Sequence, residues 1–423
     1  MRKPETIERL YLDFDGFFAS VEQAADRRLR GRPVGVVPFA GTDRTCIIAC
    51  SREAKLLGIS NIMPVREARA KCPDIILVPQ KPDLYRRAHN ALLAEIETVI
   101  PLDAVKSIDE LTCRLDDEQR KAPEALAARL RRRIAESVGP YITCSIGMAA
   151  NRQLAKIACK AGKRSGGPGT YGNGLAVWRP IDMPSPLFAV KLEDIPGVGQ
   201  RLYRRLLTMR IATSEDLYNT QPKQMRQIWN NVTGERLWYA LHGYDVQAPD
   251  TERGMFGHSR VLPPEARSLT AAYEIARLLL TKAARRLRRE GYYCSSIWLS
   301  LSIRDGHWSR QHRLPIVNDD QAVLAGLGAL WEQARRTLPR DTTIFRVGVM
   351  LGELSFASAR QLDMLLDDDA ERQRWERITA AVDALNSRYA ATVVSIGPWR
   401  PPAGGHAGGK ISYTRVPTAE DFW

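Results

Sequence analysis

The sequence predicts an α+β protein of several domains, and three observations predict it. Strand-like and helix-like stretches alternate with antiparallel returns in place of a regular βαβ repeat. The chain has 423 residues, more than one ordinary core organises, so two to four domains are expected. Breaks at 165–173 (Gly, Ser, Pro) and near 245–257 divide it. Hydrophobic content of 44% and charged content of 26% describe a water-soluble globular chain. The net charge of +14 favours a polyanionic partner, nucleic acid first, with a merely basic protein as the alternative. Seven cysteines at 46, 50, 72, 113, 144, 159 and 294 form no Cys-x-x-Cys pair and no zinc spacing, so reduced thiols are expected. Met1-Arg2-Lys3-Pro4 lacks an apolar leader, and no stretch reads as a membrane span. A cytoplasmic protein with no membrane partner is expected.

The elements follow in order. Leu10, Leu12 and Phe14 alternate with Arg9, Tyr11, Asp13 and Asp15, a strand that Gly16 stops and an amphipathic helix continues. Residues 20–80 read as a small α/β insertion, with strands at Val34–Val37 and Cys46–Cys50. Ser51 caps a helix through Leu57 that ends at Gly58, and a short helix follows Pro64. Next come a helix from about Pro82 to Ile96, a strand through Ser107-Ile108-Asp109-Glu110-Leu111, and a basic helix from Pro123 to Ser137. A strand from Tyr141 to Gly147 feeds a helix opening at Asn151 and ending in Lys160, Lys163 and Arg164. Residues 174–245 read as helical around Asp194-Ile195-Pro196-Gly197-Val198-Gly199. There a tight turn can present N–H groups to a DNA phosphate, with Arg201, Arg204 and Arg205 trailing; an ordinary interhelix turn is the alternative. Ser296–Arg304 reads as a half-buried strand facing inward with Ile297, Leu299, Leu301 and Ile303. The preceding run of Arg277, Lys282, Arg285, Arg286, Arg288 and Arg289 reads as a DNA-backbone contact or a solvated face. The tail holds an acidic run at 367–369, a helix over 372–389, a short strand at Thr392–Ile396 and a Gly/Pro/His loop over 397–409.

The chemistry concentrates in the carboxylates. Asp13 and Asp15 sit at the mouth of a buried strand, and Asp109-Glu110 is bracketed by apolar Ile108 and Leu111. Buried carboxylates need a cation or hydrogen bonds. Acids near two strand ends can hold two divalent ions, most simply Mg²⁺, for phosphoryl transfer. Salt-bridged surface groups are the alternative. There is no Gly-x-Gly-x-x-Gly and no Walker loop.

Asp13-Phe14-Asp15-Gly16-Phe17-Phe18-Ala19-Ser20-Val21-Glu22, Ser107-Ile108-Asp109-Glu110, and Ser145-Ile146-Gly147 with Asn151 and Leu154-Ala155-Lys156-Ile157-Ala158 together resemble the Y-family (DinB/UmuC) translesion DNA polymerases. The tail is more similar to the UmuC-like branch. The resemblance implies a right-hand polymerase: palm at 1–19 and 80–170, fingers at 20–79, a helix-hairpin-helix thumb at 171–245, a linker at 246–257, a little finger at 258–355 and a tail at 356–423. It implies that Asp13, Asp109 and Glu110 are catalytic and bind two Mg²⁺ with the Phe14 carbonyl. Phe17 and Phe18 would lie at the nucleotide, Phe18 as the aromatic that excludes a ribose 2′-hydroxyl, and Lys163 would reach the triphosphate. Asp15 is not a direct ligand in the family pattern. A Tyr-x-x-Arg pair that holds phosphates in the family is here Arg52-x-x-Lys55, so geometry changes while charge is kept. Ile62 stands where a small residue usually sits beside the nascent base pair, and Ile48 is also larger than common, which implies a tighter roof. Gly197, Val198, Gly199, Arg201 and Arg204 would contact DNA. Gln361, Leu362, Met364 and Leu365 resemble a bacterial sliding-clamp peptide, with a locally packed helix start as the alternative. The implied partners are primed template DNA, a dNTP and the clamp, with the protein a monomer open to accessory subunits. The rivals are a catalytically inactive polymerase-like DNA-binding accessory protein and a two-metal nuclease.

Overall fold

A computed structural model describes every residue except 40, 165–172, 248–251, 305, 358–368, 399–415 and 423. The chain forms two compact units, the first within Met1–Pro249 and the second beginning at Asp250. No helix among the described residues is long and apolar enough to cross a membrane. The cysteines are all free thiols.

In the first unit β1 (Arg9–Phe14) runs into α1 (Phe17–Ala25). A small three-stranded sheet follows, made of β2 (Val34–Val37), β3 (Ala49–Cys50) and β4 (Ile76–Pro79), with α2 (Arg52–Leu56) and α3 (Val65–Lys71) between the last two strands. The chain returns through α4 (Pro82–Glu97), β5 (Leu102–Val105), β6 (Glu110–Arg114), α5 (Asp117–Lys121), α6 (Pro123–Ser137), β7 (Cys144–Ala149), α7 (Arg152–Arg164) and β8 (Leu175–Trp178). The main sheet has the order β5-β6-β1-β7-β8, with β1 central and antiparallel to both neighbours.

Strand alternation then sorts the side chains of β1. Leu10, Leu12 and Phe14 are buried with Tyr85 and Leu92 of α4 and Leu126, Leu130 and Ile134 of α6. Tyr11 lies on the opposite face, in the core that Leu154, Ile157 and Ala158 of α7 build. Asp13 shares the face of Tyr11, so α7 is the element that can reach it. Gly147 makes this close approach feasible. A Cβ there would come within 2.1 Å of the Ala155 carbonyl oxygen and 2.2 Å of the Cys159 nitrogen. Asn151 caps α7, its Oδ1 accepting from the Leu154 N–H at 2.9 Å. Its Nδ2 donates to the Ala240 and Tyr244 carbonyls, tying α7 to the helical segment that follows.

That segment comprises α8 (Ser185–Phe188), α9 (Gln200–Thr208), α10 (Ser214–Tyr218), α11 (Pro222–Trp229) and α12 (Val232–Leu241) around Leu206, Leu217, Met225 and Leu237. The second unit has a four-stranded antiparallel sheet of order β11-β10-β12-β9, formed by β9 (Met255–Val261), β10 (Tyr292–Ile303), β11 (Gly306–Val317) and β12 (Ile344–Phe356). Helices α13 (Leu269–Arg289) and α14 (Asp320–Thr337) cover one face, and α15 (Asp369–Tyr389) follows. Ile297, Leu299 and Leu301 are fully buried beneath them, while Trp298 is exposed.

Several expectations are corrected. Residues 107–109 bend instead of extending β6, because the Lys106 and Ser107 N–H groups both turn back to the Glu110 carbonyl. Only Ala49–Cys50 of the strand expected at Cys46–Cys50 pairs in the sheet, and Cys46 forms an isolated bridge to Pro64. The strand after α6 starts at Cys144, not Tyr141. The stretch read as helical from 174 opens with β8, which runs parallel to β7. Strand β9 starts at Met255, inside the expected linker, where its residues pair with β12. Residues Thr392–Ile396 are not a strand: Asn386 Oδ1 takes the Val393 and Val394 N–H groups that a partner strand would have taken.

The basic run of α13 is the largest correction. Arg288 donates to Asp320 Oδ1 and Asp383 Oδ2 at 2.8 and 2.7 Å, and Arg285 to Asp383 at 3.1 Å. Lys282 donates to the Asp421 carbonyl, Arg286 to the Gly257 carbonyl and Arg277 to the Ile396 carbonyl. Lys282 and Arg286 are buried. These cations bind the second unit together instead of forming a DNA-facing surface. The expected loop at 397–409 lies almost wholly outside the described residues.

Candidate active site

The site forms where β1, β6 and β7 end together. Register alone places Asp13 opposite Glu110 on one side and Ser145 on the other. Asp109 joins through its backbone, its carbonyl accepting the Phe14 N–H at 2.8 Å. The Asp109 carboxylate accepts from Ser107 Oγ at 2.5 Å. Behind the acidic turn, buried His89 Nδ1 contacts the Ile108 carbonyl at 2.7 Å.

Two lysines of α7 compensate these acids. Lys163 Nζ stands 2.5 Å from Asp13 Oδ1 and 3.2 Å from Asp15 Oδ1, and Lys156 Nζ 2.9 Å from Glu110 Oε1. Their seven-residue spacing puts both on one helix face, and Lys160 between them pairs with Asp194 at 3.0 Å. Burial pushes the Asp13 carboxyl up to about 6, against the opposing pull of Lys163. Burial would lower the Lys163 ammonium, but Asp13 and Asp15 outweigh it and hold it raised. Burial also raises the Tyr11 hydroxyl, and Glu110 raises it further. Lys156 lies 5.0 Å over the Tyr11 ring.

Among the described residues no three His, Cys, Asp or Glu side chains are already turned on one point as a metal cage. The donor set nevertheless fits hard divalent cations, because the acids are carboxylates and each of Asp13 and Glu110 already faces a positive charge. Asp15 differs from Asp13. Its oxygens accept from Thr143 Oγ1 at 3.0 Å and Ser145 Oγ at 2.8 Å.

The structure places Phe17 in the core and Phe18 half-buried, stacked on Tyr85 with ring centroids 4.5 Å apart and 11° between planes. Tyr85 is itself fixed by its hydroxyl, which donates to buried Glu22 at 2.8 Å, while Lys81 holds the other Glu22 oxygen at 2.6 Å. Arg52, Lys55 and Lys163 line one cavity with Asp15 and Gly16. Gly197 has φ +101°, and Gly199 opens α9 without a side-chain cap. Val198 is less available: its side chain is buried and its N–H donates to the Ile195 carbonyl. Arg201 and Arg204 are exposed. The residues Gln361, Leu362, Met364 and Leu365 lie outside the described residues. Sequence reasoning missed Lys156, Tyr11 and Ser107 as partners of the acids. The stripe of Lys156, Lys160 and Lys163 on one face of α7 was the available signal.

Ile62 is 72% exposed and adopts φ +70°, a left-handed conformation held by its N–H to the Ile47 carbonyl at 2.7 Å. A β-branched residue there is strained by roughly 1–2 kcal/mol, and the freer unfolded glycine offsets about half of that. Ile62→Gly is therefore expected to raise stability by about 0.5–1 kcal/mol while removing the bulk that the resemblance places beside the nascent base pair. Thermal melts check the first effect, and extension past a bulky minor-groove adduct checks the second.

Comparison with known proteins agrees with this geometry. The chain matches the impB/mucB/samB family over residues 12–160 and that family's C-terminal domain over 253–364. It is 32% identical to the DNA polymerase IV of Moorella thermoacetica over 397 residues, 91% of this chain and 94% of that protein. It is 26% identical to the DNA polymerase IV of Oceanobacillus iheyensis, covering 91% of this chain and 90% of that protein. Among solved structures, "Y-family DNA polymerase chimera Dbh-Dpo4(243-245)-Dbh" matches with a TM-score of 0.64 at 23% identity, covering 82% of this chain and 99% of that one. "Insertion ternary complex of Dbh DNA polymerase" matches with a TM-score of 0.53, also at 23% identity, covering 82% and 98%. The class is thus a multidomain α+β polymerase fold with acids at the end of a mixed sheet whose central strand is antiparallel to both neighbours. The chain belongs to the impB/mucB/samB family, the Y-family of translesion DNA polymerases, and is a DNA-directed DNA polymerase.

Proposed function

We propose that this enzyme extends primed template DNA with low fidelity in damage tolerance, using Asp13, Asp109 and Glu110 to hold two Mg²⁺ ions together with the Phe14 carbonyl. The observation that carries the reading is that the three acids sit at one end of the sheet: Asp13 faces Glu110 across it, and the Asp109 backbone carbonyl accepts the N–H of the residue after Asp13. When bound, the ions supply Lewis-acid stabilisation of the negative charge on the attacking and leaving oxygens. The primer 3′-oxygen bonds to the α-phosphorus of a dNTP, the bond to the β-phosphate bridging oxygen breaks, pyrophosphate departs, and the hydroxyl proton passes to solvent. Arg52, Lys55 and Lys163 hold the triphosphate, and the Phe18 ring bars a 2′-hydroxyl. Gly197, Gly199, Arg201 and Arg204 hold a DNA phosphate at the start of α9. Incubation with a primed template, dNTPs and Mg²⁺ tests the reading. Template-dependent extension supports it, whereas shortening of the DNA indicates a nuclease and binding without extension an accessory protein.

The motif of Gln361, Leu362, Met364 and Leu365 gives the enzyme a handle for the bacterial sliding clamp. Changing Gln361 and Leu362 together to Ala is expected to abolish clamp-stimulated synthesis and leave unstimulated synthesis intact. Extension assays with and without clamp on the same template decide it.

A further inference from the structure

The cavity beside the acids extends past the triphosphate cations named above. It measures about 450 Å³ and is lined by Arg131, Tyr141, Ser145 and Gly174 as well as Arg52, Lys55 and Lys163. That volume is in the range of small-ligand sites. Four cationic side chains line it against two carboxylates, Asp15 and Glu53. Both acids are already engaged: Asp15 by Thr143, Ser145 and Lys163, and Glu53 by Gln23 Nε2 at 3.1 Å. The cavity is therefore built for an anion.

Arg131 stands apart from its neighbours on α6. Arg129 donates to the Val99 carbonyl and Arg133 pairs with Glu95. Arg131 Nη2, in contrast, is buried without a hydrogen-bond partner among the described residues. A buried guanidinium N–H lacking an acceptor is costly and calls for an explanation. Gly174, at φ +69°, leaves the room for it: a Cβ there would lie 3.0 Å from Arg131 Nη2 and 3.2 Å from Ser145 Oγ. Ser145 donates to Asp15, which also holds Lys163, so one hydroxyl and one carboxylate separate the unsatisfied guanidinium from the triphosphate lysine. A guanidinium offers a planar fork that matches phosphate oxygens.

From this arrangement we infer that Arg131 binds the terminal phosphate of the incoming nucleotide and the pyrophosphate formed from it, making one polyphosphate site with Lys163. The inference rests on the nucleotide-binding roles proposed above for Arg52, Lys55 and Lys163. Arg131 Nη2 supplies the acceptor-seeking N–H group, and the polyphosphate supplies an acceptor that none of the described residues provides.

The test uses the full-length protein, Arg131→Ala and Arg131→Lys. Inorganic pyrophosphate, titrated without DNA, should raise the melting temperature of the parent protein, and the alanine variant should need about tenfold more for the same shift. In primer extension the dNTP KM and the pyrophosphate inhibition constant should both rise about tenfold, with kcat held within about twofold and partial rescue by lysine. Equal pyrophosphate affinity in the parent and alanine proteins overturns the inference. So does a fall in kcat with unchanged pyrophosphate affinity, which makes Arg131 a mere support for Gly174 and Ser145. If the parent protein fails to extend primers, the polymerase roles fail, while the pyrophosphate titration still decides on Arg131.

Discussion

Asp109→Ala should lower primer extension at saturating dNTP by on the order of 10³-fold, the equivalent of losing several kcal/mol of transition-state charge stabilisation. The structure makes this a clean substitution. The Asp109 backbone carbonyl, which accepts the Phe14 N–H, is retained, and among the described residues its carboxylate takes a hydrogen bond only from Ser107 Oγ, two residues away. The fold should therefore survive, and an unchanged melting temperature alongside lost extension is the expected pair of results. Asp13→Ala would be harder to read, since it also strips Lys163 of its nearest anion. Extension by Asp109→Ala at a rate near that of the parent would remove Asp109 from the catalytic set.

Phe18→Ala should relax selection against ribonucleotides by on the order of 10²-fold, the discrimination a shaped apolar wall achieves against one extra hydroxyl. The ring is held in a fixed orientation. It lies flat on Tyr85, Tyr85 is anchored by buried Glu22, and Glu22 is neutralised by Lys81. Removing the ring leaves that anchor standing, so the site should open without collapsing. Because Phe18 is only half-buried, the stability loss should stay near 1–2 kcal/mol, below that of a core aromatic. The ratio of kcat/KM for a dNTP and its matching rNTP measures the effect. An unchanged ratio would assign the ring to packing alone.

Much of this site could be read from local pattern. Alternation placed Asp13 on a strand, Gly16 marked the turn into a helix, and the acidic dipeptide bracketed by apolar residues located Glu110. Contacts that close over long separations were not legible, because composition carries no record of which charges meet. Arg288 with Asp383 shows the difficulty: Arg288 read as a DNA-backbone contact or a solvated face, yet the structure joins it to Asp383 at 2.7 Å across 95 residues. Residues 107–109 erred for a local reason, since a bend stabilised by two N–H groups on one carbonyl leaves no trace in hydrophobic periodicity. Thr392–Ile396 had strand-forming residues, but the Asn386 side chain took the backbone donors first.

The lysine contacts of α7 bear on when the enzyme becomes competent. In many small metalloproteins the ligands repel one another until the ion arrives, so folding and metal loading are one event. Here Asp13 and Glu110 each have a cation supplied by the chain itself. Completing the fold and charging the site are thereby uncoupled. The ions proposed for this site are thus not needed to complete the fold and can arrive with the nucleotide phosphates that would share them.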